Sequence, residues 1–340
     1  TRYISVTGVQ TCALPIFDGM LATGTVVGED LPRFQFYSGK FAFDAKEYDK
    51  AIDGLTKAIQ SGYTSGDAEL LIAESYFSKG AGMAGGQVNA QVRPILLQGL
   101  PHLRKAIDQT KAAGTEVPVG WYRRGYDMAR ATNSPETLAW ATDLIHVQPS
   151  PAAWNNLVRS YQQAHTDLTR SENIDLMRLL LQAGALQQSY DYSEYVDAVS
   201  KSGLPGEVKA VVENGRAKGI LNATQLNDYY TQAVSEVKGD QAALAAGEAG
   251  AAKAATAKPA VSTGDAYLGY AKYADAVKMY DIGLGKTGAD VAEVTTRKGI
   301  ALALSGDYAG AKAAFEGVTT GNRAEIAKLW LLWISTKTAA

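Results

Sequence analysis

Two stretches of this chain repeat one pattern of small and aromatic residues at the same offsets, and no other feature restricts the fold as much. Residues 295–318 read TTRKGIALALSGDYAGAKAAFEGV, and residues 34–60 read FQFYSGKFAFDAKEYDKAIDGLTKAIQ. Gly39 answers to Gly299, Tyr48 to Tyr308 and Ala51 to Ala311. In the later copy Gly299 and Leu302 belong to a first helix, Gly306-Asp307-Tyr308 makes the turn, and Ala311 and Phe315 belong to a second. In the earlier copy Leu55 and Ala58 continue from Ala51 at the i, i+4, i+7 spacing of a buried helix face. Each copy therefore reads as a helix hairpin. Hairpins that recur along a chain bury their apolar faces on one another, so the chain grows by stacking and its 340 residues need not divide into two globular domains.

Further copies are more degenerate. Residues 67–79 give a first helix through Leu70, Leu71, Ala73, Tyr76 and Phe77, and its partner resumes near Val92 with Leu96, Gly99, Leu103 and Ala106 after the Gly-rich insertion at 80–91. Residues 121–149 form a third unit. There Ser134-Pro135 predicts an N-cap with proline at the first helical position, and Ser150-Pro151 does the same for the next helix. Trp154, Val158 and Tyr161 are the buried stripe of that helix, with residues 174–186 as an irregular partner. A fifth unit spans residues 190–219 around the turn Gly203-Leu204-Pro205-Gly206. Ten of the 18 residues at 241–258 are Ala, which predicts a long helix acting as a spacer, or lying against the groove of the first block. Residues 267–283 are a sixth hairpin, and 323–337 place Ile326, Leu329, Trp330, Trp333 and Ile334 on one face as a cap.

The expected architecture is all-α, a right-handed α/α superhelical solenoid. Its divisions are a non-native segment at 1–17, repeat block one at 18–219 with about five helix pairs, an Ala-rich helical spacer at 220–259, repeat block two at 260–322, and a capping helix at 323–340. The first division rests on residues 6–16, VTGVQTCALPI, which are similar throughout to the in-frame translation of a common sequencing-library adapter. Cys12, the single cysteine, falls within it, so the chain cannot form an internal disulfide. With a foreign start, a native N-terminus and any export signal are expected to be missing, and exported, periplasmic and cytoplasmic locations all stay open.

The hairpin pattern resembles the tetratricopeptide repeat (TPR), a unit of about 34 residues. Trp121, Gly125 and Pro149 match the family's Trp, Gly and Pro landmarks, and Gly264, Tyr267, Tyr273, Ala276 and Tyr280 stand in family places. Over residues 33–338 the chain is similar to uncharacterised bacterial TPR-containing proteins. The resemblance implies a non-enzymatic scaffold that holds a peptide or protein partner in a concave groove lined by the first helix of each pair. Carried over residue by residue, it points to Phe36, Lys40 and Phe43, to Phe77 beside Glu74, to Tyr122, Tyr126 and Arg130, to Asn155, Arg159 and Gln162, and to Ser193 and Asp197. The i, i+4, i+8 spacing of Tyr122, Tyr126 and Arg130 puts them on one face. The Lys and double-Arg set with which some TPR domains hold a C-terminal carboxylate is not reproduced, and Asn155 with Arg159 echoes it only in part.

A second reading is a structural subunit of a membrane-associated or envelope assembly, docked through Trp330 and Trp333 on the apolar C-terminal helix. No apolar run approaches the ~20 residues that span a bilayer, which leaves peripheral membrane association open. With 33 Lys and Arg against 35 Asp and Glu, no global basic field favours nucleic acid. No cofactor and no metal are expected, since His102, His146 and His165 stand alone. GLGKTGAD at 283–290 imitates a phosphate loop, but Tyr280 takes the first glycine's place and a helix precedes it. Ser235 and Lys238 with Lys286-Thr287-Gly288 imitate two boxes of the serine penicillin-binding enzymes, without the third.

Overall fold

The computed structural model describes residues 6–83, 85 and 87–338, with side chains from residue 14. Residues 1–5, the side chains of 6–13 (Cys12 among them), and residues 84 and 86 of the Gly-rich insertion lie outside the described residues. Among the described residues there are seventeen helices and no strand. It is a protein of stacked helix hairpins. They fall into two compact units, residues 1–148 and 149–340.

Unit one holds α1 (Val6–Ala22), α2 (Asp30–Asp44), α3 (Tyr48–Gln60), α4 (Gly66–Met83), α5 (Arg93–Ala112), α6 (Val119–Ala131) and α7 (Thr137–Val147). The hairpins are α2–α3, α4–α5 and α6–α7, and α1 lies on α2. Glycine sets the closeness of each pair. A Cβ on Gly39 would stand 2.7 Å from Leu55 Cγ, and one on Gly125 would overlap the Trp140 indole. Trp140 is fully buried, with the Arg104 guanidinium 3.7 Å over its ring. At the other end Leu14 is buried and the Phe17 ring rests against Phe34 and Phe41. Asp18 accepts a 2.6 Å hydrogen bond from the Ser38 hydroxyl and pairs with Lys50.

The helix after Ser134-Pro135 starts two residues later than the sequence suggests. Thr137 N bonds to Ser134 O at 3.1 Å, so the segment opens as one tight turn, and the Ser134 hydroxyl caps Glu136 N at 3.2 Å within it. Ser150 does cap as expected, accepting from Ala153 N at 3.2 Å with Pro151 following it. Replacing Ser150 by alanine should cost about 1 kcal/mol. Urea unfolding followed by the Trp154 region would check this, and a cost near zero would mean that water serves the orphaned N–H equally well.

Unit two holds α8 (Pro151–Ala164), α9 (Arg170–Gln182), α10 (Ser189–Ser200), α11 (Pro205–Ala217), α12 (Asn227–Lys253), α13 (Lys258–Gly269), α14 (Tyr273–Leu284), α15 (Val291–Ser305), α16 (Tyr308–Glu316) and α17 (Gly321–Thr338). In α13–α14 and α15–α16 the close approach recurs, with Gly264 on Tyr280 and Gly299 on Phe315. At the turn into α16, Gly306 takes φ 89°, the left-handed conformation a helix end favours, and Asp307 then caps Gly310 N at 2.9 Å.

The Ala-rich helix α12 packs along α11 and α13. With few large apolar side chains of its own, it is tied down by hydroxyls. Tyr229 donates to Asp197 at 3.1 Å, Tyr230 to Glu213 at 3.0 Å, and Tyr270 donates to Asp240 at 2.6 Å. Its C-terminal end is held by the GKT segment that imitates a phosphate loop. Lys286 donates to the carbonyls of Ala252 and Ala254, and Thr287 donates to Ala255 O. An ammonium against the last carbonyls of a helix meets the negative end of its dipole.

The centre of unit two is α9. Ile174 to Leu180, seven consecutive residues, are all buried, so this helix is enclosed on every side. α17 packs against it, with Trp330 Nε1 donating to Asp175 O at 3.2 Å. Two polar residues in the enclosed run bind the neighbours together. Asp175, with no exposed surface, receives Arg178 at 2.8 Å and Arg323, with Arg297 at 3.8 Å. Arg178 forks onto Glu207 through two bonds of 2.8 and 2.7 Å, and the Tyr195 hydroxyl joins the same carboxylate at 2.6 Å. Arg297 reaches Asp265 at 2.7 Å, where the Tyr280 hydroxyl also donates at 2.8 Å. Burial alone would push the Asp175 carboxyl up, yet the guanidinium groups of Arg323, Arg297 and Arg178 outweigh it and hold the group below its ordinary value. At Asp265 burial wins and the carboxyl is raised, Arg297 opposing.

Candidate partner-binding cleft

The residues read as groove lining in unit one are placed unevenly. Phe36 is buried and stacks on Tyr63 at 4.3 Å. Phe77 is buried beneath the Arg124 guanidinium, which is itself held by Glu74. Tyr122 and Tyr126 are also buried, while Phe43 is half-buried against Tyr48. On these short helices the face that sequence spacing assigns to a groove is the face that packs between helices. Lys40 remains partly exposed and pairs with Asp44, and Arg130 is exposed. Trp330 and Trp333 lie inside unit two, fully buried and 5% exposed.

The fourth group of residues is brought together. With Trp154, Leu157, Val158 and Tyr161 turned into the core, α8 places Asn155, Arg159 and Gln162 on its other side at i, i+4, i+7. Arg159 and Gln162 form one wall of an open cleft of about 590 Å³, closed by the loop after α8, the start of α9 and the outer face of α10, and Asn155 lies one turn before them, outside its lining. The α9 start is fixed by a capping box, Thr169 and Glu172 satisfying each other's backbone N–H. His165 stacks on Tyr161 at 4.0 Å and contacts Tyr161 O through Nδ1 at 2.9 Å.

That wall is braced by its own chain. Asn155 donates to Ala185 O at 2.9 Å, and Arg159 bridges Asp191 and Glu194 at 2.5 Å each. Gln162 bonds Asn173 at 2.6 Å and Glu194 at 3.1 Å, and Asn173 donates to Glu194 at 2.9 Å. Asp191 is in turn held by the backbone N–H groups of Gln187 and Gln188. Burial pulls the Arg159 guanidinium's pKa down, and the two carboxylates more than restore it, so it stays charged. Such a lattice fixes the side chains before any partner arrives, which lowers the entropic cost of binding. Tyr190, 55% exposed, adds an aromatic face with Arg159 5.3 Å from its ring.

Sequence reasoning passed over Arg170 and Lys201, which complete the rim, and Tyr190, which lies beside Arg159. Only the T-x-x-E capping box at Thr169 marks that neighbourhood in the sequence. Ser193 is exposed and spends its hydroxyl on Ser189 O, whereas Asp197 borders the cleft, held by Lys201 and Tyr229. Among the described residues no helix is long and apolar enough to cross a membrane, and no group of His, Cys, Asp and Glu is arranged to hold a metal.

No protein-family model matches the sequence. No curated protein matches it either. Among solved structures, the chain is similar to the complex of the TPR2AB domain with pHSP90 of yeast Sti1, at 12% identity and a TM-score of 0.28, over 91% of this chain and all of that one. It is also similar to Naa15/Naa10 bound to HypK-THB, at 13% identity and a TM-score of 0.25, over 92% of this chain and 56% of that one. This chain thus spans little more than half the length of the second. The fold described above rests on the helices themselves.

Proposed function

We propose that this chain is a non-enzymatic protein-interaction scaffold that holds a peptide or protein partner at the α8–α10 cleft of unit two. The observation that carries the reading is the braced wall of Arg159 and Gln162 in an open cleft, with the exposed Tyr190 ring beside Arg159. Rigid polar side chains next to an accessible aromatic ring are what an extended segment needs for oriented hydrogen bonds and one apolar anchor. Asp175, Tyr195, Asp265 and Tyr280, whose acidity burial and charged neighbours alter, belong to the buried network of unit two, and none lines the cleft. Their shifts therefore speak for architecture. Trp330 and Trp333 are used inside the unit, so the C-terminal helix offers no comparable face.

The test is selection of peptides from a displayed random library against the full chain, followed by amide hydrogen exchange with a selected peptide. Slowed exchange over residues 159–173 and 190–201 is the expected result. Failure to select any peptide, or protection confined to other helices, would overturn the reading.

A further inference from the structure

Two hydrogen bonds join the first turn of α17 to the back of the cleft, one on each side of it. On the α8 side, the Tyr161 hydroxyl donates to Asn322 O at 3.3 Å. The Tyr161 ring carries His165, a lining residue, stacked on it at 4.0 Å, and Tyr161 O contacts His165 Nδ1 at 2.9 Å. On the α9 side, Arg323 Nη2 donates to the hydroxyl of Ser171, which directly follows the lining residues Thr169 and Arg170. The same hydroxyl accepts from Arg297 Nη2 at 2.8 Å and donates to Glu293 Oε1. A serine hydroxyl has one hydrogen to give and two lone pairs, and all three are used here. Arg323 is buried, with Nη1 on Asp175. Tyr161, Ser171, Asn322 and Arg323 all lie outside the lining.

From this arrangement, and resting on the scaffold reading above, we infer that the first turn of α17 positions the two sides of the cleft, so that docking of α17 and occupation of the cleft favour one another. The capping box at Thr169 shapes the start of α9 locally, but it does not place that start relative to α8. Adjacent residues of one helix, Asn322 and Arg323, hold both sides at once. Neither side can shift without breaking a bond to α17, and α17 cannot withdraw without releasing both. A ligand that bridges the two sides from the front binds the docked state better than the withdrawn one and so shifts the balance toward it. The coupling is reciprocal: whatever α17 adds to the ligand's affinity, the ligand adds to the docking of α17.

The experiment measures peptide affinity and amide hydrogen exchange on the full chain, free and saturated with a peptide selected from the displayed library. Four proteins are compared: the parent, Tyr161→Phe, Ser171→Ala and Tyr270→Phe. Each substitution deletes one hydroxyl from unit two. Tyr270, which donates to Asp240 and does not line the cleft, controls for lost stability alone. In the parent, saturation should slow exchange over residues 322–330, although α17 contributes nothing to the lining. Tyr161→Phe and Ser171→Ala should each weaken the peptide about 3- to 10-fold, the size of one hydrogen bond, while Tyr270→Phe leaves it unchanged. An unchanged helical circular dichroism spectrum confirms that each variant folds. Protection confined to the cleft with 322–330 unaltered, an equal loss in all three variants, or no loss in Tyr161→Phe and Ser171→Ala would each overturn the inference and leave the scaffold reading standing. If the library yields no peptide that protects the cleft, the scaffold reading fails and the inference falls with it.

Discussion

Asp175→Asn is expected to destabilise unit two by about 3–5 kcal/mol, the range for removing one partner of a buried ion cluster. The carboxylate has no exposed surface and is the point on which Arg178, Arg297 and Arg323 converge. An amide of the same size keeps one acceptor oxygen but turns an N–H toward guanidinium groups that already donate, and leaves their charge uncompensated in a medium that solvates it poorly. The pH dependence follows from the direction of the shift. The folded carboxyl titrates below its unfolded value of about 3.9, so its stabilisation is fully present above that pH and is lost as pH falls through the folded value. The asparagine variant should lack that acid-side loss. Asp265, raised by burial, has the opposite sign: its contribution weakens as pH rises from the unfolded value through the folded one, and Asp265→Asn should cost less than Asp175→Asn. Urea unfolding at pH 7 and across the acid range, with exchange of the α9 amides as a local probe, measures all of this. A cost below about 1 kcal/mol for Asp175→Asn would show that the three arginines find other partners.

The second large effect belongs to unit one. Trp140→Ala should cost about 3–5 kcal/mol, because a fully buried indole is removed from between Gly125 and the Arg104 guanidinium. Gly125→Ala should cost about 1–3 kcal/mol for the converse reason, an added methyl overlapping the same ring. The two changes are coupled through one contact. In the Trp140→Ala background, Gly125→Ala should therefore be close to neutral or favourable, since the methyl enters vacated space and alanine suits a helix better than glycine. Equilibrium unfolding of the four proteins completes the cycle. Strict additivity would show that the helices separate freely and that the glycine does not set their distance.

The hairpins were legible because each is specified within one period. Gly39 with Leu55, Gly264 with Tyr280 and Gly299 with Phe315 are near neighbours in sequence, and a small residue facing a large one needs no distant information. The enclosure of α9 was not legible. Its run of Leu and Ile residues reads as an ordinary apolar face, and what encloses it, including Arg297 on α15 and Arg323 and Trp330 on α17, lies more than 100 positions away. The cleft was half legible. Helical spacing put Asn155, Arg159 and Gln162 on one face, but only the fold shows their donors spent on Asp191, Glu194 and Asn173. Spacing also gave Phe36, Phe77, Tyr122 and Tyr126 a common kind of face without showing that neighbouring helices cover it.

The enclosure of α9 has a bearing on how the chain acquires its shape as it leaves the ribosome. In unit one each hairpin is completed by residues synthesised almost at once. In unit two α9 emerges carrying seven residues that all require cover, and one of the helices that cover it, α17, is made more than 100 residues later. Contacts of that sequence separation form slowly, and an exposed apolar helix invites association with other chains in the meantime. Until α17 has been delivered, the middle of unit two is an unfinished surface that the cell must keep from sticking.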